Sequence, residues 1–345
     1  MALPEGTHMA EQSVLPRWRG FNLVELFSRR GPVERRSGDF QEDDFRWISE
    51  WGFDFVRIPM DYKLWTPTDD LYVVDEGMLE KVDRALRLGE QYGLHVSLNM
   101  HAAPGYCINP QPGEAYDLWK DREAVDAFCF HWAMFAERYK GISSDRLSFN
   151  LLNEPRVPPE IGTKDIYTAL VREVTGKIRE QDPNRLIIAD GARVGTEALP
   201  ELSDLNIAQG CRAYAPAGVS HYKATWVPDS DTWPVPTWPQ PADHPGGEWN
   251  REKLEEQFAP WVELARSGVG VHCGEGGAHQ YTPHDVVLAW FEDVLDILKS
   301  HNIGWALWNI RGQFGIIDSN RTDVDYEDWH GQKLDRKFLD LLQKY

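Results

Sequence analysis

Glu154 and Glu275 each follow an apolar run directly, in Leu151-Leu152-Asn153-Glu154-Pro155 and Cys273-Gly274-Glu275-Gly276-Gly277. A carboxylate at the end of a buried run is costly unless it is paired or put to use. Pro155 fixes the chain as it leaves Glu154. Gly276-Gly277 lets backbone or ligand come close beside Glu275. Arg57, His101 and Asn153 also close apolar runs. A pair of salt-bridged structural acids is the plain reading of the two glutamates. The chemistry that needs two such acids is cleavage of a glycosidic bond. One acid protonates the leaving oxygen, and the other attacks the anomeric carbon or activates a water. A separation of about 5–5.5 Å gives direct attack and retention, and a wider gap gives inversion. Only the fold can set that separation.

Such groups need elements that bring them to one place. Apolar or β-branched runs recur at 19–24, 53–58, 94–99, 146–152, 185–189, 210–214, 268–273 and 303–308. The run at 210–214 is the least clear. Between them, apolar residues at three- and four-residue spacing predict helices over 76–92, 121–139, 163–179, 251–266, 282–299 and 333–342. Thr282-Pro283-His284-Asp285 has the form of a helix start, a capping residue followed by proline in the first turn. This β-then-α alternation predicts an α/β fold, a closed (β/α)8 TIM barrel in a single domain with long βα loops. The rival, a doubly wound open sheet, usually carries a glycine-rich phosphate loop after its first strand. Here that strand runs into Asn22-Leu23-Val24-Glu25-Leu26-Phe27 instead. Barrel active sites form at the C-terminal ends of the strands. Arg57, His101, Glu154, Glu275 and Trp308-Asn309 all fall at such ends.

The chain has 345 residues, 42% of them hydrophobic, enough for one full core. Residues 10–345 are read as one catalytic domain, and Met1–Met9 as a cloning leader outside the fold. The formal charge of −19, from 55 acidic against 36 basic residues, repels phosphate backbones and argues against a nucleic-acid partner. No apolar run is long enough to span a membrane. Cys107, Cys129, Cys211 and Cys273 lack metal-type spacing, and Cys129 and Cys273 read as small core residues. No two-histidine pattern closes the first strand, which disfavours a metal-dependent barrel hydrolase. No cofactor or metal is expected, and the chain is expected to act as a monomer. Fifteen tryptophans are many, and tryptophan is seldom fully buried. Flat aromatic faces suit the flat faces of sugars.

At these residues the chain resembles glycoside hydrolase family 5, from Arg19-Gly20-Phe21-Asn22 to Trp308. Asn-Glu-Pro alone is a weak motif. Ending a fourth strand, with Gly-Glu-Gly ending a seventh, it is specific. The resemblance implies retaining hydrolysis of a β-linked glucan or related β-glycan by double displacement. Glu154 would be the acid/base and Glu275 the nucleophile. Arg57 would hold Glu275 ionised, Asn153 would meet the sugar 2-hydroxyl, His101 would line the cleavage subsite and Trp308 would form its floor. The family usually shows a histidine and a tyrosine one residue apart at the sixth strand. The match loosens here. Ser220-His221-Tyr222-Lys223 supplies the pair as His221 and Tyr222, with Tyr222 donating to Glu275; the alternative is Tyr214. His95, His131, His272 and His301 read as structural or surface residues.

The expected partner is a β-linked oligo- or polysaccharide. His101-Ala102-Ala103-Pro104-Gly105 resembles the His-x-x-Pro-Gly of family members acting on β-1,3-glucans, whereas others cut β-1,4-glucans, mannans or xyloglucans. The proline-rich segment 224–250 carries Trp226, Trp233, Trp238 and Trp249. These rings either add sugar subsites or pack the loop down. Tyr62, Trp65, Tyr106, Tyr116 and Trp119 are placed to extend the same groove. Transglycosylation on the same site and a non-catalytic sugar-binding barrel are the alternatives. The second is expected to lack one glutamate, and both are present.

Overall fold

The computed structural model describes residues 15–27, 40–109 and 113–345, so the expected leader lies outside the described residues. Eight parallel strands run β1 (Arg19–Asn22), β2 (Phe55–Asp61), β3 (His95–Ala103), β4 (Leu147–Asn150), β5 (Leu186–Asp190), β6 (Ala208–Ala213), β7 (Val271–Gly276) and β8 (Gly304–Leu307). Each pairs in parallel with the next, and β1 also pairs with β8, so the barrel closes. The helices are α1 (Glu42–Glu50), α2 (Glu76–Tyr92), α3 (Arg122–Arg138), α4 (Lys164–Gln181), α5 (Arg251–Arg266), α6 (His284–Ser300) and α7 (Arg336–Lys344). The (β/α)8 barrel predicted from the sequence is the observed fold.

Alternation along each strand separates two apolar regions. Val56, Ile58 and Met60 of β2 join the large cluster between barrel and helices. Phe55 instead joins a small cluster with Leu15, Trp18, Ile188, Ala208 and Ala306. Trp18 stacks on His95, ring centroids 3.7 Å apart, and Phe55 lies 4.4 Å from His272. This inner plug keeps water out of the N-terminal mouth. His95 and His272 belong to it, and burial pushes both imidazoles down to about 3. The inward positions above the plug, toward the C-terminal ends, are polar.

Several boundaries differ from the sequence expectation. β2 and β3 run three to four residues past the expected ends at Ile58 and Asn99, to Asp61 and Ala103. Polar residues do not end these strands, because inward-facing polar groups find partners inside the barrel. A helix not expected from the sequence, α1, buries Phe45 and Ile48 one turn apart. A short turn, Ala192–Gly195, in which Arg193 and Val194 take left-handed backbone, and the 3-10 segment Pro200–Leu205 stand where a full helix would follow β5. Thr282 does not cap α6. Its hydroxyl donates to the Val219 carbonyl at 2.6 Å, while the His284 N–H at the helix start donates to Asp323 at 2.8 Å. Cys129, Cys211 and Cys273 are buried free thiols.

One irregularity bears on the site. Between Cys273 and Gly276, β7 carries one residue more than β6 and β8. A bulge of this kind re-aims a side chain at the end of a strand, and here the residue is Glu275. The carbonyl of Gly274, turned out of the ladder, accepts from Asn22 Nδ2 at 3.0 Å. A Cβ on Gly274 would stand 2.9 Å from Nη1 of Arg212, so glycine leaves room for that guanidinium.

Candidate active site

The polar layer at the C-terminal end of the barrel is organised by two arginines. Arg57, on β2, is fully buried. Its Nε donates to Asn150 at 2.8 Å, Nη1 to Asn22 at 2.9 Å and to Glu275 at 2.6 Å, and Nη2 to Asn153 at 2.8 Å. A buried guanidinium is tolerated when its donors are matched in this way. Arg212, on β6, is as deep. Its Nη2 donates to Asn153 at 2.8 Å and to Asp190, and Nη1 donates to its neighbour's carbonyl, Cys211, at 3.1 Å. The same guanidinium lies 3.3 Å from Glu154 through Nε and 3.5 Å from Glu275 through Nη2.

Glu275 is buried, and its two oxygens have different partners. Oε1 faces Arg57, and Oε2 accepts from the Tyr214 hydroxyl at 3.0 Å. Burial and the charge of Glu275 raise the Tyr214 phenol well above its ordinary range, which keeps it a donor. Glu154 is held by its backbone. Its φ of +46° lies in the left-handed region, which residues other than glycine seldom adopt. Asp190 accepts from its N–H at 3.0 Å, and the Tyr106 hydroxyl donates to its carbonyl at 2.6 Å. Both sides of the strained residue are thus pinned. Burial, and next the charge of Glu275, push the Glu154 carboxyl up to about 8, while Arg212 pulls it down. One carboxylate with strong donors beside one that retains a proton is the division of labour acid-base chemistry requires.

A cavity of about 490 Å³ opens above these groups and is lined by His101, Glu154, Tyr214, Glu275, Trp308 and Phe314, among others. His101 stacks on Trp308 at 5.2 Å with 20° between the planes. Burial, with Arg57 and Arg212 nearby, holds its imidazole well below the ordinary range, hence neutral. Nδ1 lies 3.1 Å from the Asn99 carbonyl oxygen and Nε2 lies 3.2 Å from the Asn153 amide nitrogen. Nδ1 therefore carries the proton and Nε2 accepts. Among the described residues no group of three or more His, Cys, Asp or Glu is placed to hold a metal ion.

A family model for cellulase (glycosyl hydrolase family 5) matches residues 12–313. The chain belongs to glycosyl hydrolase family 5. It is an O-glycosyl hydrolase of β-glycan. This family 5 chain is similar to endoglucanase C of Acetivibrio thermocellus, 28% identical over 335 residues, covering 89% of this chain and 95% of that protein. It is also similar to cellodextrinase A of Ruminococcus flavefaciens, 26% identical over 294 residues and 83% of each chain. A crystal structure of a glycoside hydrolase matches it with a TM-score of 0.90 at 39% identity, covering 95% of this chain and 99% of that one.

Set against family 5 expectations, Glu154, Glu275, Arg57, His101, Asn153 and Trp308 all come together. Two of them sit lower than expected. Arg57 and Asn153 lie beneath the cavity wall and do not line it. The Asn153 carbonyl accepts from both arginines and its amide faces His101. These commitments place its side chain directly behind His101. The expectation for Tyr222 is corrected. It does not line the cavity, its ring lies under the Lys223 ammonium at 5.1 Å, and Tyr214 is the residue on Glu275. The reason is position. Tyr214 follows β6 directly, two residues after Arg212, so both side chains leave the same face of the strand. Tyr222 lies beyond the helical turn Ala217–Ser220. Arg212 therefore stands where the family's histidine was expected. His221 does reach the cavity, with Ser220 Oγ 2.7 Å from its Nδ1. Burial, then His279, lower it to about 4.

Asp190 and Arg212 were missed by the sequence reading, although signals for both exist. Asp190 ends the run Leu186-Ile187-Ile188-Ala189-Asp190, and the rule applied to the other strand ends finds it. Arg212 is a lone charge within an apolar strand. Of the aromatic loop 224–250, only Trp226 lines the cavity. The indole N–H of Trp238 donates to Asp293 and that of Trp249 to the Gly246 carbonyl, which packs the loop down. Tyr62 and Trp65 are core residues, whereas Tyr106, Tyr116 and Trp119 line a neighbouring hollow.

Proposed function

We propose that this chain is a retaining β-glucan hydrolase in which Glu154 is the acid/base and Glu275 the nucleophile. The observation that carries this reading is that one guanidinium, Arg212, lies within 3.5 Å of both carboxylates. Retention needs the two carboxyls about 5–5.5 Å apart and inversion about 6.5–9.5 Å, with room for a water; retention is taken from the family 5 pattern and tested by the anomeric assay below. Arg57 and Tyr214 orient Glu275 from both sides, while the raised Glu154 carboxyl keeps the proton that the leaving oxygen needs. In the first half-reaction a Glu275 oxygen bonds to the anomeric carbon as the leaving oxygen departs with the proton of Glu154. In the second, water attacks that carbon, gives its proton to Glu154, and Glu275 leaves with its electron pair. Trp308, backed by His101 and Phe27, offers a flat face to a pyranose ring.

β-1,4- and β-1,3-linked gluco-oligosaccharides are the substrates to compare first, with manno- and xylo-oligosaccharides beside them. Products are followed in time for the wild type and for Glu275→Ala. Cleavage of a gluco-oligosaccharide that is lost in the variant supports the assignment. Anomeric proton NMR of the first products then reads the stereochemistry. The β-anomer appearing first means retention; the α-anomer first would overturn the double displacement.

A further inference from the structure

Arg212 has a feature that its bond to Asp190 does not explain. Its Nε–H is buried and lacks a hydrogen-bond partner among the described residues, although Glu154 Oε1 stands 3.3 Å away. Its other nitrogens are engaged: Nη2 with Asn153 and Asp190, Nη1 with the Cys211 carbonyl. Nη2 also lies 3.5 Å from Glu275 Oε1. The guanidinium is thus fixed by three anchors, and its unpartnered Nε–H faces the carboxyl that must change its charge.

The charge inventory shows when such a donor is needed. In the double displacement, bond formation at Glu275 consumes its negative charge while Glu154 gives up its proton. One negative charge therefore moves from the side of Arg212 that faces Glu275 to the side that faces Glu154. A guanidinium held between the two positions meets both states without moving, which is electrostatic preorganisation. Arg57 is bound tightly to Glu275 and carries the first state. The second state, with Glu154 ionised, has Arg212 as its nearest cation. Arg57 also acts on Glu154, more weakly than Arg212 and from its bond to Glu275, while Asp190, Glu275, Tyr106 and Tyr214, the other titratable groups facing Glu154, supply no positive charge.

We propose that Arg212 is a positioning residue for the second half-reaction: its Nε–H donates to Glu154 once that group has become a carboxylate, and so holds it as the base that takes the proton from water. This rests on the retaining mechanism proposed above.

The test uses 2,4-dinitrophenyl β-cellobioside, whose leaving group needs no proton, so the first half-reaction bypasses Glu154. In Arg212→Gln the second half-reaction is expected to slow about 10- to 100-fold, the weight of one charge-assisted hydrogen bond. The first should change much less. Dinitrophenolate then appears in a burst, intact-protein mass spectra show the cellobiosyl-enzyme at steady state, and azide, which needs no base, restores turnover as β-cellobiosyl azide. Arg212→Lys keeps a cation that reaches Asp190 but cannot serve Asp190 and Glu154 together. It is expected to accumulate the same species to a lesser degree, and it carries the test if the Gln variant fails to fold. If folded variants slow both half-reactions equally, with no trapped species and no azide effect, Arg212 is only a structural partner of Asp190 and the proposal falls. If the wild type forms no covalent species with a 2-fluoro-cellobioside, the double displacement itself fails, which is a separate result.

Discussion

Replacing Glu154 by Gln is expected to lower activity and raise stability, each with its own pH signature. Burial and the charge of Glu275 push the Glu154 carboxyl up to about 8 in the folded protein. In the unfolded chain a glutamate titrates near about 4.3. Between these values the native state holds a proton that the unfolded state has released. The unfolded state binds fewer protons there, so stability falls as pH rises, by up to about 1.4 kcal/mol per pH unit. Glutamine has nearly the same shape and no charge, so the variant lacks this slope. At pH 8 it should be the more stable protein, by on the order of 5 kcal/mol, or roughly 6 °C in Tm. The difference should vanish toward pH 4, where both states of the wild type are protonated. Loss of the acid/base should lower kcat on cellotetraose by about 10²–10⁴-fold. Wild-type kcat/KM should fall about tenfold per unit above pH 8 as the proton is lost, and the variant should show no such limb. Thermal unfolding and cellotetraose kinetics from pH 4 to 9.5 read both effects. An alkaline limb that persists in the variant, or a wild type that gains stability over the variant between pH 5 and 8, would refute the reasoning.

Tyr214→Phe removes the hydroxyl that donates to Glu275 at 3.0 Å and keeps the ring. It should lower kcat/KM about 10- to 100-fold, with Tyr222→Phe within about twofold; the reverse order, in parallel kinetics of the two variants, would return the role to Tyr222. Arg57→Lys keeps the charge but cannot reproduce a fork that serves Asn22, Asn150, Asn153 and Glu275 at once. It should destabilise the fold by about 3–5 kcal/mol and abolish activity, and a denaturant midpoint equal to that of the wild type would contradict the hub role.

The sequence by itself determined the barrel and put the two glutamates at the ends of its strands. Strand and helix periods are local, and eight alternations leave few ways to bury both faces of a parallel sheet. The rule that barrel chemistry gathers at strand ends then picked out Glu154, Glu275, Arg57, His101 and Trp308 without reference to distance. Only the tertiary structure decided which residues meet. In the sequence Asn153 is one more polar residue at a strand end, and only the fold shows two arginines sharing its side-chain oxygen. Tyr214 and Tyr222 are equivalent as letters, and the end of β6 separates them. The bulge at Gly274, which aims Glu275, is a mismatch of register between strands far apart in the chain. The cluster of Arg57, Arg212, Asp190 and the glutamates joins five strands or their C-terminal ends, from β2 to β7. Its energetics depend on which charges are buried together, and periodicity within one segment carries no information about that.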